Sequence, residues 1–506
     1  MNANAPIDRL LVGFASESGN ARALAQRLGT DLRPHRPQVL PFNDIDVASL
    51  GHGDVLLAIS SSFGDGEPPA NGEQFFEALR QAPTLRGLRY AVFGLGDTGY
   101  PRFCGFTKAL DAALSERLAQ PLLHRVDADL GYERFFQQWQ PVLGQVLQGN
   151  ADAGQDLRLQ VTAYGEDNAF AAPILERRRL NRSDPAAWHL QLDIAGSGMD
   201  YRAGDTLHVV PDNDPALLQA LAAWYGDPAA VGVLGDRELR LLGKGVLREL
   251  ARLGGSDVLK GLLKVSQKRE LEGYLHGLDL LDVLQDHATP DSVPLPRLRE
   301  LLSPRLPRAY SIASHPHRDQ LGLCVREVRY RLRGRERFGT ATGSLLHGAG
   351  SARVYCRSNP GFHLPASGAA PLLLVGTGTG IAPLMGLLQE LQATASEREV
   401  HLVFGEKHRE QDYLYREQLQ DWRSRGVLAG LHTAFSRDGA GKVYVQHVLQ
   451  QQAARVQDML ARGGHLYLCG NKRHLEAAVR EAIEAIGGEG RWDALRGAGR
   501  IHCELY

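Results

Sequence analysis

Residues 10–21 read LLVGFASESGNA: an apolar run from Leu10 to Ala15, a small polar loop from Ser16 to Gly19, and the opening of a helix. Past the loop, Ala21, Leu24, Ala25 and Leu28 recur at i, i+3, i+4 and i+7, the apolar stripe of an amphipathic helix. A strand that delivers such a loop to a helix N-terminus gathers backbone N–H groups and the Ser16 and Ser18 hydroxyls around an anion. The loop has no Lys in the G-x-x-x-x-G-K-S/T register, which argues against a nucleoside-triphosphate P-loop. Taken alone, it also reads as an ordinary capped turn.

Working outward, two more strand-like runs, 54–60 and 90–94, open onto unusual loops: SSFGDGEPP over 61–69 and GLGDTGYPRFC over 94–104. Alternating strands and helices predict a doubly wound parallel sheet over the first ~145 residues. Three special loops at the carboxyl ends of neighbouring strands converge where open α/β sheets bind ligands. Phe63 and Tyr100 suit a flat ring between them. A phosphate cradle plus a stacking slot points to FMN.

The rest of the chain changes character more than once. Residues 148–157 are small and polar and read as a linker. Alternating strands follow over about 158–212, as in 188–194, and then a Leu-rich helical insertion over about 213–300. Strand patterns return at 321–332. From about 370, βα alternation resumes with apolar runs at 372–375, 400–404 and 465–468. At 506 residues, with 43% apolar and 23% charged positions, this is a globular chain of several domains.

A net charge of −1 makes no global case for nucleic acid or an anionic membrane. No apolar run nears the ~20 residues of a membrane span, and the N-terminus lacks a signal peptide's apolar region. Cys104, Cys324, Cys356, Cys469 and Cys503 form no C-x-x-C pair, so a disulfide framework, a zinc site and an iron–sulfur cluster are not expected. The composition points to the cytoplasm, with no metal, no nucleic acid and no membrane anchor. Six arginines crowd 326–337, yet Val328, Tyr330 and Leu332 alternate with Arg329, Arg331 and Arg333, the pattern of a half-buried strand with a solvated face.

In the middle region, RAYSI over 308–312 offers a bidentate cation, a ring and a hydroxyl in Arg308, Tyr310 and Ser311. GTATGS over 339–344 precedes Leu345 and Leu346, so its amides suit a diphosphate at a helix start. The last region opens with VGTGTGIAP over 375–383. This is not G-x-G-x-x-G, and no acidic ribose ligand is expected at the end of the next strand, which argues against an ordinary NAD Rossmann unit. Ser436, Arg437, Lys442, Tyr444 and Gln446 bring cations, hydroxyls and an amide close in sequence, donors that suit a 2′-phosphate.

Taken in order, these segments resemble the diflavin NADPH reductases over nearly the whole chain. The resemblance implies three modules: a flavodoxin-like FMN domain over 1–147, a ferredoxin–NADP reductase-like FAD β-barrel over 158–368, and a Rossmann-like NADP domain over 369–506. The barrel carries the helical insert near 213–300, and the linker of 148–157 would let the FMN domain swing between FAD and an outside acceptor. FMN contacts are implied from Ser16, Glu17, Ser18, Gly19, Asn20 and Ala21. Others come from Ser61, Ser62, Phe63 and Gly64, and from Leu95, Gly96, Asp97, Thr98, Gly99, Tyr100, Phe103 and Cys104.

FAD contacts are implied from Arg308, Ala309, Tyr310, Ser311, Cys324, Val325, Tyr330, Gly339, Thr340, Ala341, Thr342 and Tyr506. NADP contacts are implied from Gly376, Thr377, Gly378, Thr379 and Gly380, from Ser436, Arg437, Lys442, Tyr444 and Gln446, and from Cys469. Ser311, Cys469, Glu504 and Tyr506 would surround the reacting ends of FAD and NADPH, with Tyr506 covering the flavin. The chain departs from relatives at Phe63, where Tyr is frequent, at Arg326, where Gly is frequent, and at Glu504, Asn471 and Ala478, where Asp is common.

The implied activity is electron flow from NADPH through FAD and FMN to a separate haem or iron–sulfur acceptor protein, with sulfite reductase as one such acceptor. A reductase for a haem monooxygenase or for ferric compounds is the rival enzyme. A flavin-binding carrier without catalysis is the rival of another class, and Ser311, Cys469, Glu504 and Tyr506 argue against it.

Overall fold

In the computed structural model the described residues are 6–64, 66–100, 102–150, 152–317, 319–365, 368–473 and 475–506. Asp65, Pro101 and Ala151 of the segments quoted above lie outside them. The chain divides into two compact units, Met1–Ala163 with Ser197–Asp200, and Tyr164–Gly196 with Tyr201–Tyr506.

The first unit is built on β1 (Arg9–Ala15), β2 (Gln38–Pro41), β3 (Asp54–Ser61), β4 (Arg89–Leu95), β5 (Gln120–Pro121) and β6 (Val126–Ala128). All pairings are parallel, in the order β2-β1-β3-β4-β5, with β6 also on β4. The continuous apolar runs of β1, β3 and β4 are explained by burial on both faces. Val12 and Phe14 pack with Leu24 and Leu28 of α1 (Asn20–Asp31), and with aromatic residues of a later helix, Phe136 and Trp139. Leu11 and Ala15 face the other way, toward Phe75, Phe106 and Leu110. The chain reverses direction across the sheet between β1 and β3, which puts the switch point at the loops singled out from sequence. Within the expected linker, Ala153 and Leu157 pack on this first core, as do Leu159 and Val161 just after it.

The second unit joins two sheets. One is antiparallel: β7 (Phe170–Arg179), β8 (Ala187–Asp193), β9 (Thr206–Val210), β10 (Arg308–Ser311), β11 (Gln320–Arg326) and, after a hairpin, β14 (Ser351–Arg357). Its order is β10-β9-β14-β7-β8-β11, and a bridge between Ile312 and Leu323 brings the two edges together as a barrel. Between β9 and β10 run the helices α5 (Pro215–Tyr225) to α11 (Leu295–Leu301), close to the expected insertion, around a Leu-rich core of their own.

The arginine-rich stretch is a hairpin, not one strand. β12 (Arg329–Leu332) pairs β13 (Arg335–Phe338) across Arg333 and Gly334, both at positive φ, the two-residue turn that matches strand twist. Only part of its cationic face is solvated: Arg337 is 1% exposed and bonds Asp279 and Asp282 at 3.0 and 2.6 Å. A guanidinium taken out of water requires such carboxylates.

The second sheet is parallel, in the order β17-β16-β15-β18-β19: β15 (Leu372–Thr377), β16 (Val400–Glu406), β17 (Gly430–Phe435), β18 (His465–Gly470) and β19 (Ile501–Leu505). Apolar cores cover both its faces, and one of them extends to Ala313 and Cys324 of the barrel side. No helix among the described residues is long and apolar enough to cross a membrane.

Candidate functional site

In the first unit, the loop after β1 is held by its own polar groups. Ser16 N donates to Asn71 Oδ1 at 3.0 Å, Gly19 N to Ser16 Oγ at 3.0 Å, and Ala70 N to Glu17 Oε1 at 2.8 Å. Gly19 stands at the helix N-cap with φ +81, and no side chain caps α1. The first-turn amides therefore lack partners inside the helix, the donor arrangement that suits an anion. Glu17 and Ser16 thus shape the loop, while Ser18, Asn20 and Ala21 offer free donors.

The loops after β3 and β4 touch one another. A Cβ on Gly66 would stand 2.8 Å from Arg102 Cβ and 3.2 Å from Gly105 Cα, so only glycine fits there. Ser62 Oγ accepts the Phe106 amide at 3.1 Å, and Thr98 is anchored on Asp129 through its amide (3.0 Å) and its hydroxyl (2.8 Å). Phe63 and Tyr100 are left 56% and 58% exposed. Two large rings at the surface, one on each loop, fit the faces of a flat cofactor. The side chains of Leu95, Phe103 and Cys104 go instead into the core, so only their backbone is available to a ligand. Asn71 and Asp129 were missed from sequence. Asp129 follows β6 at its carboxyl end, where the same switch-point rule could have found it.

In the barrel, Arg308 bonds Glu238 of the insertion at 3.3 Å and the Leu306 carbonyl at 2.8 Å. Next to it along β10, burial pushes the Tyr310 hydroxyl up to about 12. Tyr330 donates to the Gly277 carbonyl at 2.9 Å and accepts from Arg240 at 3.1 Å, so its hydroxyl belongs to the insertion and its ring is what remains for a ligand. Gly339 opens α12 (Thr340–His347) with no side-chain cap, again leaving amides for a diphosphate. Ala341, Thr342, Cys324 and Val325 are buried.

β10, β18 and β19 meet at one corner. Ser311 Oγ donates to Glu504, Asn359 Nδ2 reaches Glu504 Oε2 at 3.4 Å, and Glu504 lies opposite Cys469 in the parallel register. Burial raises the Glu504 carboxyl from 4.5 to about 7, with the Asp205 charge adding and the bonds from Ser311 and Asn359 opposing. Burial also holds the Cys469 thiol well above its ordinary range, so it stays neutral. The C-terminus is docked here: Tyr506 OH bonds Thr379 Oγ1 at 2.9 Å, and the Lys472 amide donates to the Tyr506 carbonyl at 2.9 Å. Its residue is nonetheless 59% exposed.

Beside this corner, the loop after β15 borders a cavity of about 890 Å³. Thr377, Gly378, Thr379, Ser436, Tyr444 and Gln446 line it, together with Asn471, Ala478 and Tyr506. A Cβ on Gly380 would come 2.2 Å from the Cys469 carbonyl, and one on Gly376 2.9 Å from Leu384, so both glycines allow close packing. Arg437 and Lys442 are exposed and have no ion pair among the described residues. Unpaired cations flanking Ser436 and Gln446 fit a phosphate ester.

One expectation is corrected here. An acidic residue does end the strand next to the glycine loop: β16 extends to Glu406, past the 400–404 run. Glu406 is nearly buried at its side chain and ion-paired with Arg326, and its other oxygen accepts the Lys407 amide at 2.7 Å. The run looked shorter because Gly405 interrupts its apolar pattern. Lys407, also missed, lines the same cavity.

Three family models match the chain in order: flavodoxin over 12–139, FAD binding domain over 164–234 and oxidoreductase NAD-binding domain over 374–481. The chain is 34% identical over 520 residues to the sulfite reductase (NADPH) flavoprotein alpha-component of Bacillus subtilis, covering 95% of this chain and 85% of that protein. Proteins of the same description from Serratia proteamaculans and Mannheimia succiniciproducens are 32% and 31% identical, over 95% and 94% of this chain and 85% of each relative.

Proposed function

The chain belongs to the diflavin NADPH reductase family, and from that premise we propose that it carries electrons from NADPH through FAD and FMN to a separate hemoprotein that reduces sulfite. The observation that carries the reading is the pairing, in one chain, of two kinds of site. One is a loop set with free helix amides and two exposed rings; the other is a half-buried Ser311–Glu504 pair with the buried Cys469, beside a nucleotide-sized cavity. When bound, the two flavins supply what no side chain offers, a junction between a two-electron donor and one-electron acceptors.

In this reading the amides of residues 18–21 hold the FMN phosphate, and Phe63 and Tyr100 flank its ring. Arg308 and the start of α12 hold the FAD diphosphate, with Tyr310, Tyr330 and Tyr506 against the flavin and adenine rings. The Gly376–Gly380 loop takes the NADPH diphosphate, and Ser436, Arg437, Lys442, Tyr444 and Gln446 take its 2′-phosphate. Glu504, titrating near 7, holds or releases a proton at its carboxyl oxygens under neutral conditions, and Ser311 Oγ keeps that carboxyl oriented. Cys469, neutral and buried beside Glu504, adds no charge to the nicotinamide site. Tyr506 would cover the flavin ring and would have to move for nicotinamide to reach it. The domain limits belong to the same reading: FMN over 1–147, a linker at 148–157, FAD over 158–368 and NADP over 369–506, in a cytoplasmic protein.

The test has two readouts. Flavins extracted from the purified protein should number one FMN and one FAD per chain; FAD alone would overturn the assignment of the first unit. NADPH should then drive reduction of cytochrome c, and of sulfite once a sulfite reductase hemoprotein is added. Fast cytochrome c reduction with no sulfite turnover would move the acceptor elsewhere.

A further inference from the structure

The chain leaves the barrel at β14 and enters the parallel sheet at β15, and the segment between them passes the corner where Ser311 meets Glu504. It is held from both sides. Asn359 Nδ2 donates to Glu504 Oε2 at 3.4 Å, and its backbone amide donates to Asp205 Oδ1 at 2.8 Å. His363 Nε2 bonds the same Asp205 oxygen at 2.6 Å, and the Arg202 amide donates to the other at 2.7 Å. From the parallel sheet, Tyr467 of β18 donates to the His363 carbonyl at 2.7 Å, and His502 Nδ1 of β19 to the Gly361 carbonyl at 2.7 Å. Gly204, at φ +99, permits the close approach: a Cβ there would stand 2.6 Å from the Phe362 carbonyl.

Asp205 is 4% exposed and His363 9%, so their bond is no loose surface contact. A buried carboxylate requires such donors, and here they fix the segment that carries Asn359. That segment presents one neutral N–H donor to Glu504 and keeps one carboxylate a single residue behind it. A donor favours the ionised form of a carboxyl, and a like charge disfavours it. Asn359 and Asp205 therefore act on Glu504 in opposite senses. The other groups around Glu504 are Ser311 on β10, neutral Cys469 on β18, and His502, Cys503 and Tyr506 along its own strand and tail.

We propose that Asn359 is a positioning residue for Glu504, and that Asp205, bound to His363, both holds Asn359 in place and opposes ionisation of Glu504. The inference rests on the reading that Glu504 stands at the reacting ends of FAD and NADPH. It gives three residues outside the flavin and nucleotide loops a part in the acid–base state of that corner. The same bonds tie the barrel to the parallel sheet, so the contact that orients Glu504 also sets the two sheets against each other there.

Infrared titration of the oxidised holoprotein, both flavins bound, from about pH 5 to about pH 9 follows the protonated carboxyl band of Glu504, identified by its loss in Glu504→Gln. The wild-type midpoint is expected at about 7. Asn359→Ala removes the side-chain donor and keeps the backbone amide on Asp205, so the midpoint should rise by about half a unit to one unit. Asp205→Asn removes the charge, so the midpoint should fall by a similar amount. The double variant D205N/H363Q makes the same test with two amides that can pair, in case the single variant loses FAD. The pH midpoint of FAD reduction by NADPH, read by stopped-flow absorbance, should move in the same directions. An unmoved midpoint in N359A, or one that falls together with that of D205N, overturns the inference; the second would mean only that looser packing lets water reach Glu504. A midpoint unmoved in both charge-removing variants, or FAD lost from both, makes Asp205 a support of the fold alone and overturns its part. Unchanged FAD reduction in Glu504→Gln would instead overturn the reading of the corner, whatever the infrared midpoints do.

Discussion

Two parallel sheets in this chain start alike and end in different chemistry. Each sends a buried apolar strand into a glycine-bearing loop and a helix: β1 into SESG at 16–19, β15 into GTG at 378–380. Their orders differ, β2-β1-β3-β4-β5 against β17-β16-β15-β18-β19, so different strand ends flank the loop. In the first sheet the neighbours bring exposed rings, Phe63 and Tyr100. In the second they bring an ion pair, a hydroxyl, an amide and a docked C-terminal tyrosine around about 890 Å³ of space. A glycine loop handles phosphate in either place; the adjoining strand ends decide what else is held.

The largest effect that could break this contrast lies at the corner of β18 and β19. Glu504→Gln should slow reduction of FAD by NADPH about a hundredfold, the scale of a lost acid–base group, while FMN content stays normal. Stopped-flow absorbance measures it, and an unchanged rate would reduce Glu504 to a structural part. The same variant carries a pH signature. Because burial lifts the folded carboxyl from 4.5 to about 7, the stability from its protonated form is present below the lower value and is lost as pH rises through the higher one. Gln has no such proton, so melting temperature should fall less between pH 5 and 8, at constant flavin loading, than in wild type.

Next comes the phosphate ester. Arg437→Ala should raise the NADPH KM by about tenfold to a hundredfold and leave kcat and the NADH KM nearly unchanged, since the contact is made equally in ground and transition states. Equal losses for both nucleotides would move the 2′-phosphate site away from β17. The mirror test in the first sheet is Tyr100→Ala, which should loosen FMN by about tenfold, as removal of one stacking wall costs, and leave FAD in place. Equilibrium dialysis reads both flavins, and parallel loss of FAD would mean general unfolding. The smallest effect is deletion of Tyr506, which should improve NADH binding about threefold by clearing an occupied position. Unchanged NADH kinetics would make the Thr379 bond a mere anchor for the tail.

Much of this was legible before folding, for identifiable reasons. The stripe at Ala21, Leu24, Ala25 and Leu28 is buried in the structure because its spacing leaves a helix no other apolar face. The loops at 61–69 and 94–104 stood out because Gly, Pro and Asp cluster there directly after apolar strand-like runs. Glu406 was missed because Gly405 made its strand look finished. Arg337 was missed as a buried residue because its carboxylates, Asp279 and Asp282, lie more than fifty positions away.

What the sequence determined by itself is local: which runs are strands, which helices are amphipathic, and where glycine, hydroxyl and aromatic residues gather at strand ends. Periodicity and turn chemistry act over a few residues, so they can be read in order along the chain. Which strand ends become neighbours was decided only by the tertiary structure. Ser311 meets Glu504 across 193 positions, and Arg326 meets Glu406 across 80. Each pairing couples two groups whose burial is tolerable only together, and burial is a property of the assembled sheets rather than of any segment.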